Sequence, residues 1–98
     1  METREYPYSK SILLNAAYDV LELLELPVQF SDSRSGVVHF DCGTGIGQMD
    51  FTAVLQDGGE VTRIDISGAD SELSEVLLDE IASDLNQNYE SDIRRTNE

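Results

Sequence analysis

The chain has one lysine, one histidine, one cysteine, two prolines and no tryptophan in 98 residues. Each scarcity excludes something. The lone cysteine, Cys42, cannot form an intramolecular disulfide, so a reducing compartment is the expected setting. Lysine and arginine number 6 against 20 acidic residues, a formal charge of -14. Nucleic-acid binding needs a basic patch that displaces counterions from phosphate. Attachment to an anionic membrane needs clustered Lys and Arg. Lys10 and five scattered arginines supply neither, so neither kind of partner is expected. The opening Met1-Glu2-Thr3-Arg4-Glu5-Tyr6 lacks the basic and then apolar pattern of a secretory leader, which adds to the expectation of a cytoplasmic protein. No long apolar run is present. Residues 12–26 come nearest, but Asn15, Asp19, Glu22 and Glu25 interrupt them, and the stretch is too short to span a bilayer.

What remains is an ordinary folding composition, 40% hydrophobic and 27% charged, close to globular averages. The length fits one domain, expected over residues 9–89. Residues 1–8 read as an arm or edge strand, because Pro7 disfavours a central strand. Residues 90–98 read as a flexible polar and acidic tail. A domain of this size buries only about 60–65% of its unfolded surface, which leaves little room for a deep pocket. The acids are spread along the chain, as on a solvated surface. An acidic face that meets a basic partner is the sharper alternative.

Hydrophobic periodicity orders the elements. Leu13, Ala16, Ala17, Val20 and Leu24 fall at helical spacing after Ser9 or Ser11 as N-cap. Ile12, Leu14, Leu21 and Leu23 widen the stripe, and Pro27 stops a helix expected to reach Leu26. Val28 and Phe30 alternate with polar neighbours, and residues 31–36 are turn chemistry. Val38 and Phe40 oppose His39 and Asp41. Met49, Phe51, Ala53 and Leu55 oppose Asp50 and Thr52. Asp57-Gly58-Gly59 signals a hairpin. Thr62, Ile64 and Ile66 oppose Val61, Arg63 and Asp65. Asp70 or Ser71 then caps a second helix with Leu73, Val76, Leu77, Ile81 and Leu85 inward, ending near Tyr89. The expected fold is α+β: a two-layer sandwich, an antiparallel meander of three to four strands with both long helices on one face.

The chemical motifs are weak. Gly43-Thr44-Gly45-Ile46-Gly47 lacks the lysine of a P-loop and the spacing of a dinucleotide loop, and a strand rather than a helix follows it. It reads as a flexible hairpin loop. His39, Asp41, Asp50 and Asp65 share the polar sheet face, and in a suitable register they form a candidate divalent-metal set. The competing reading is a solvated face with cross-strand pairs such as Arg63 with Asp50 or Asp41. His39 and Cys42 point to opposite faces of a strand, which opposes a nucleophile–base pair. No catalytic residue, metal or cofactor is assigned.

Ser31-Asp32-Ser33-Arg34-Ser35-Gly36-Val37-Val38 forms a strand pair around a turn. Gly59-Glu60-Val61-Thr62-Arg63-Ile64-Asp65-Ile66 is a hairpin strand, and residues 71–81 are an amphipathic helix. In these stretches the chain resembles a type of small bacterial α-β-β-β-α domain of unknown function. It is more distantly similar to domains of outer-membrane assembly lipoproteins and to minimal helix-grip folds. The resemblance spans most of residues 9–89 and implies a fold. It carries no catalytic residue across, and the lipid-attachment cysteine of the lipoproteins has no counterpart near residue 1. The expectation is a non-enzymatic protein-interaction or oligomerisation module, with Val37, Val54 and Val61 as interface residues on the outer sheet face. The alternative is a small hydrophobic-ligand binder or minor enzyme of helix-grip type, with Tyr18, Met49 and Phe51 as pocket walls. A third reading is an acidic decoy for a basic nucleic-acid site.

Overall fold

The computed structural model describes residues 2–90, the side chains of residues 89 and 90 excepted. The fold is α+β, with elements in the order β1 (Glu2–Tyr6), α1 (Lys10–Leu23), β2 (Val28–Asp32), β3 (Val37–Asp41), β4 (Ile46–Gln56), β5 (Gly59–Ser67) and α2 (Ser71–Leu85). A π-helical turn, Asn86–Glu90, follows α2. The sheet has five strands, not three to four, in the order β1-β5-β4-β3-β2, and every adjacent pair is antiparallel. The expected meander is β2 to β5. The extra strand is β1, which pairs with β5 from Glu2 opposite Ile66 to Tyr6 opposite Thr62. It lies at an edge, where the following Pro7 costs no ladder bond. Helix α1 therefore carries the chain from one sheet edge to the other.

Both helices cover one face. α1 packs on β4 and β5, α2 packs on β1, and the two helices pack on each other. Between them and the sheet lie Leu13, Ala17, Leu21, Val38, Phe40, Met49, Ile64, Ile66, Leu77 and Ile81, each no more than 1% exposed. Complete burial of each of these side chains other than Ala17 contributes roughly 1.5–3 kcal/mol. The α2 stripe is rotated from the expected one. Ser74, Leu77, Leu78, Ile81 and Leu85 are buried, whereas Val76 is 42% exposed. The buried set follows the 3.6-residue period, and Val76 sits about 160° from its centre, on the opposite side of the helix.

β1 is fastened to α2 by two contacts. The Tyr6 hydroxyl donates to the Leu78 carbonyl at 2.8 Å, and burial pushes the Tyr6 pKa up to about 12. The Arg4 guanidinium meets Asp79 at 2.8 Å, and that hydrogen bond raises its pKa further. In the connection from β1 to α1, the Tyr8 carbonyl accepts from the Thr62 hydroxyl at 2.8 Å.

α1 ends three residues before its expected limit. Leu24 is the C-cap, and Glu25 adopts φ 58°. The Glu25 N–H donates to the Glu22 carbonyl (3.1 Å) and the Leu26 N–H to the Leu21 carbonyl (2.8 Å). These are the two bonds of a Schellman close, whose left-handed residue is usually glycine. At the other end, the Asp70 carboxylate accepts from the Leu73 N–H at 2.7 Å and caps α2.

Two strands also depart from the expected pattern. β4 begins at Ile46, so part of the glycine-rich segment is strand. Gly47 faces Phe40 across the ladder, and the ring fills the space of a missing Cβ. At the far end, Ala53 and Leu55 leave the core, and Leu55 is 93% exposed. Here the β4–β5 hairpin has run past the helices that cover its middle. A register shift between Val28 and Phe30 in β2 sets Val28 opposite Phe40 and Phe30 opposite His39. The two residues therefore face opposite sides of the sheet. A β-bulge breaks the two-residue period on which their shared face was expected.

Candidate functional site

The helices leave the other sheet face bare. Cross-strand register builds that face residue by residue. Val37 stands opposite Asp50 and Asp32, His39 opposite Gln48 and Phe30, and Asp41 opposite Ile46. Further along, Asp50 faces Asp65, Thr52 faces Arg63 and Val54 faces Val61. On β1, Thr3 faces Asp65 and Glu5 faces Arg63.

The face thus carries apolar and acidic patches side by side. Phe30 (54% exposed) and Ile46 (52%) are its most open apolar residues, and Val37, Val54 and Val61 are half-buried. The Phe30 and His39 rings lie 5.4 Å apart, tilted by 53°, a packing distance for aromatic pairs. Val54 and Val61 form a cross-strand pair near the hairpin, and Val37 lies on β3, one strand removed. Sequence reasoning did not place Phe30 and Ile46 on this face, because a bulge and an apparent loop hid their phase.

Asp50 and Asp65 are directly opposed, an arrangement that costs stability for like charges. Each has its own donors. Gln48 Nε2 gives both Asp50 oxygens hydrogen bonds, at 3.2 and 2.9 Å. Asp65 accepts from Thr3 Oγ1 at 2.6 Å and from Arg63 Nε at 3.4 Å. Arg63 thus pairs along its own strand, not with Asp50 or Asp41 as the cross-strand reading had it. His39 borders Phe30 and Gln48. Among the described residues, no group of three or more His, Cys, Asp or Glu side chains is arranged to hold a metal ion. Asp41 accepts from the Gly43 N–H at 2.8 Å and serves the β3–β4 turn. Cys42, in the same turn, donates to the Gly45 carbonyl at 3.2 Å.

Charge at the β2 edge is held in place. Asp32 Oδ1 accepts from the backbone N–H groups of Arg34 and Ser35 at 3.1 and 3.4 Å. Hydrogen bonds from Ser35, first from its side chain, draw the Asp32 pKa below the usual carboxylate value. Lys10, the only lysine, donates to the Arg34 carbonyl at 3.0 Å from the start of α1. On the helix side, Asp84 is pushed up by partial burial and then by the nearby charge of Asp19 on α1.

The three pocket-wall candidates separate. Met49 (0% exposed) and Phe51 (3%) pack inside the core, and no described cavity is lined by either. Tyr18 lines a cleft of about 470 Å³ with Leu21, Glu22, Glu25, Leu26, Pro27 and Val28. It opens at the junction of α1 and β2, not between the helices and the middle of the sheet. The residues that complete it were overlooked because they belong to the helix stop. The apolar pair Leu26-Pro27 just beyond the last helical turn was the available signal.

Among the described residues, no helix is long and apolar enough to cross a membrane. Comparison with protein-family models and with curated proteins finds no match to the chain.

Proposed function

We propose that the chain is a non-enzymatic interaction module that works through the bare face of its sheet. One observation carries this reading: a five-stranded sheet has both helices on one side and exposes Phe30 and Ile46, with Val37, Val54 and Val61, on the other. Apolar patches framed by polar residues favour contact with another protein. The likeness to small bacterial α-β-β-β-α domains of unknown function belongs to this proposal, and the chain departs from that order in having β1 before α1 and four strands between the helices. A ligand chamber of helix-grip type has less support, because Met49 and Phe51 are part of a filled core.

The testable form of the proposal is self-association. Asp32, Asp41, Asp50, Asp65 and Glu5 oppose it at low salt, since two such faces repel. Screening removes the repulsion and leaves the apolar contact, because the Debye length falls from about 30 Å at about 0.01 M to about 3 Å at about 1 M salt. Light scattering after size exclusion is expected to show a mass that rises with salt and with protein concentration. The double variant Val54→Asp, Val61→Asp is expected to stay monomeric. A wild-type chain that is monomeric at every salt and concentration, or a dimer that the double variant leaves intact, defeats the proposal.

A further inference from the structure

The two edges of the sheet are unequal. β1 (ETREY) carries Glu2, Arg4 and Glu5 in five residues, and its Tyr6 and Arg4 are tied to α2. Such charges discourage strand pairing. β2 (VQFSD) has one charged residue, Asp32, and all five of its residues are exposed. Among the described residues its outer side has no neighbouring strand, so alternate backbone N–H and C=O groups there point away from the sheet.

Beside that edge lies the cleft of about 470 Å³. Tyr18, Leu21, Leu26 and Val28 give it an apolar lining, and Glu22 and Glu25, both exposed, stand at its rim. A strand added about 4.8 Å outside β2 turns alternate side chains to the two faces of the sheet. Those on the helix side enter the cleft beside Val28. Those on the other side meet Phe30. An apolar lining with a carboxylate rim selects an apolar anchor flanked by cations.

We infer that the β2 edge with its cleft takes up an extended basic segment of a partner protein, added as a sixth strand with one apolar side chain in the cleft. This rests on the interaction-module reading for the class of partner, but it uses a different surface from Val54 and Val61. A second copy of this chain fits the edge poorly. Its own edge sets Glu22, Glu25 and Asp32 against their copies, and the bulge between Val28 and Phe30 interrupts a flat edge-to-edge ladder. A short flexible peptide follows the bulge, and its lysines or arginines complement Glu22, Glu25 and Asp32.

The test uses the full chain and the capped heptapeptide Lys-Lys-Thr-Val-Thr-Lys-Lys, whose second and sixth lysines share the valine's face and whose first and last lie on the other, followed by backbone NMR shifts. Saturable shifts are expected over residues 18–32. Replacing the peptide lysines by glutamates, methylating alternate peptide nitrogens, or introducing Glu22→Lys with Glu25→Lys is each expected to weaken binding by about ten-fold or more. Circular dichroism checks that the variant is folded, and an intact variant that binds as tightly as wild type overturns the inference. So do shifts centred on Val54 and Val61, binding indifferent to N-methylation, or no saturable binding. Failure here with salt-promoted self-association retained removes the edge site and leaves the outer-face proposal standing. The Val54→Asp, Val61→Asp experiment bears on the outer face alone.

Discussion

Glu25 occupies a backbone conformation that favours glycine, and its replacement gives a prediction whose sign reverses the usual helix rule. Its φ is 58°, and it is the one described non-glycine residue with positive φ. Both bonds of the helix close are in place around it, at 3.1 and 2.8 Å, so the fold does not escape the strain by rearranging. A residue with a Cβ costs roughly 1–2 kcal/mol in the left-handed region. Glycine avoids that cost but brings roughly 0.4–1 kcal/mol of extra unfolded-state freedom. The difference leaves Glu25→Gly more stable than Glu25→Ala by about 1 kcal/mol. Within a helix the order is the opposite, with alanine ahead by about 1 kcal/mol. Both variants remove the same charge, so the comparison isolates the backbone. Urea denaturation with equal slopes reads the difference directly. Thermal melting is expected to place the glycine variant higher by about 4–8 °C. Equal stabilities, or a more stable alanine variant, refute the left-handed helix close and with it the placement of Glu25 at the cleft rim.

Three further substitutions test the packing. Tyr6→Phe removes the hydrogen bond to Leu78, at an expected cost of about 1 kcal/mol. Because the Tyr6 pKa is raised from 10.0 to about 12, the neutral phenol's contribution is complete below pH 10 and is lost as pH rises through 12. Wild type is therefore expected to lose stability faster than Tyr6→Phe across that window, by up to about 1.4 kcal/mol per pH unit; parallel alkaline curves contradict it. Ser74 is 1% exposed and its hydroxyl has no hydrogen-bond partner among the described residues, so Ser74→Ala is expected to leave stability unchanged or raise it by about 1 kcal/mol in denaturant melts. A clear loss refutes the unsatisfied hydroxyl. Gly47→Ala forces a methyl group against the buried Phe40 ring, with an expected loss of about 1–3 kcal/mol. A neutral result places that ring elsewhere.

The α+β class, both helices, the β2–β5 meander and the Asp57-Gly58 turn were legible because each rests on a local period or a local turn signal. What escaped was set by non-local geometry. Residues 1–8 were legible as an arm or edge strand from Pro7, but the choice between the two was not, because β1 becomes a strand only by pairing with residues some sixty positions away. The bulge in β2 moved Phe30 to the outer face, and no local signal at Gln29 marks it. Leu55 obeys the strand alternation and still lies in solvent, because alternation says nothing of where the covering helices end. The outer face was partly legible: Val37, Val54 and Val61 do share it, by period two. The cleft was not, because it forms where a helix stop turns back against an edge strand.

The bare sheet face is proposed as the contact surface. Backbone NMR spectra recorded at low and high protein concentration, in about 1 M salt to shorten the Debye length to about 3 Å, test it most directly. Concentration-dependent shifts are expected at Phe30, Val37, Ile46, Val54 and Val61, with the exposed helix residues Leu23 and Val76 unmoved. Shifts grouped on Leu23 and Val76, or spectra independent of concentration, contradict it.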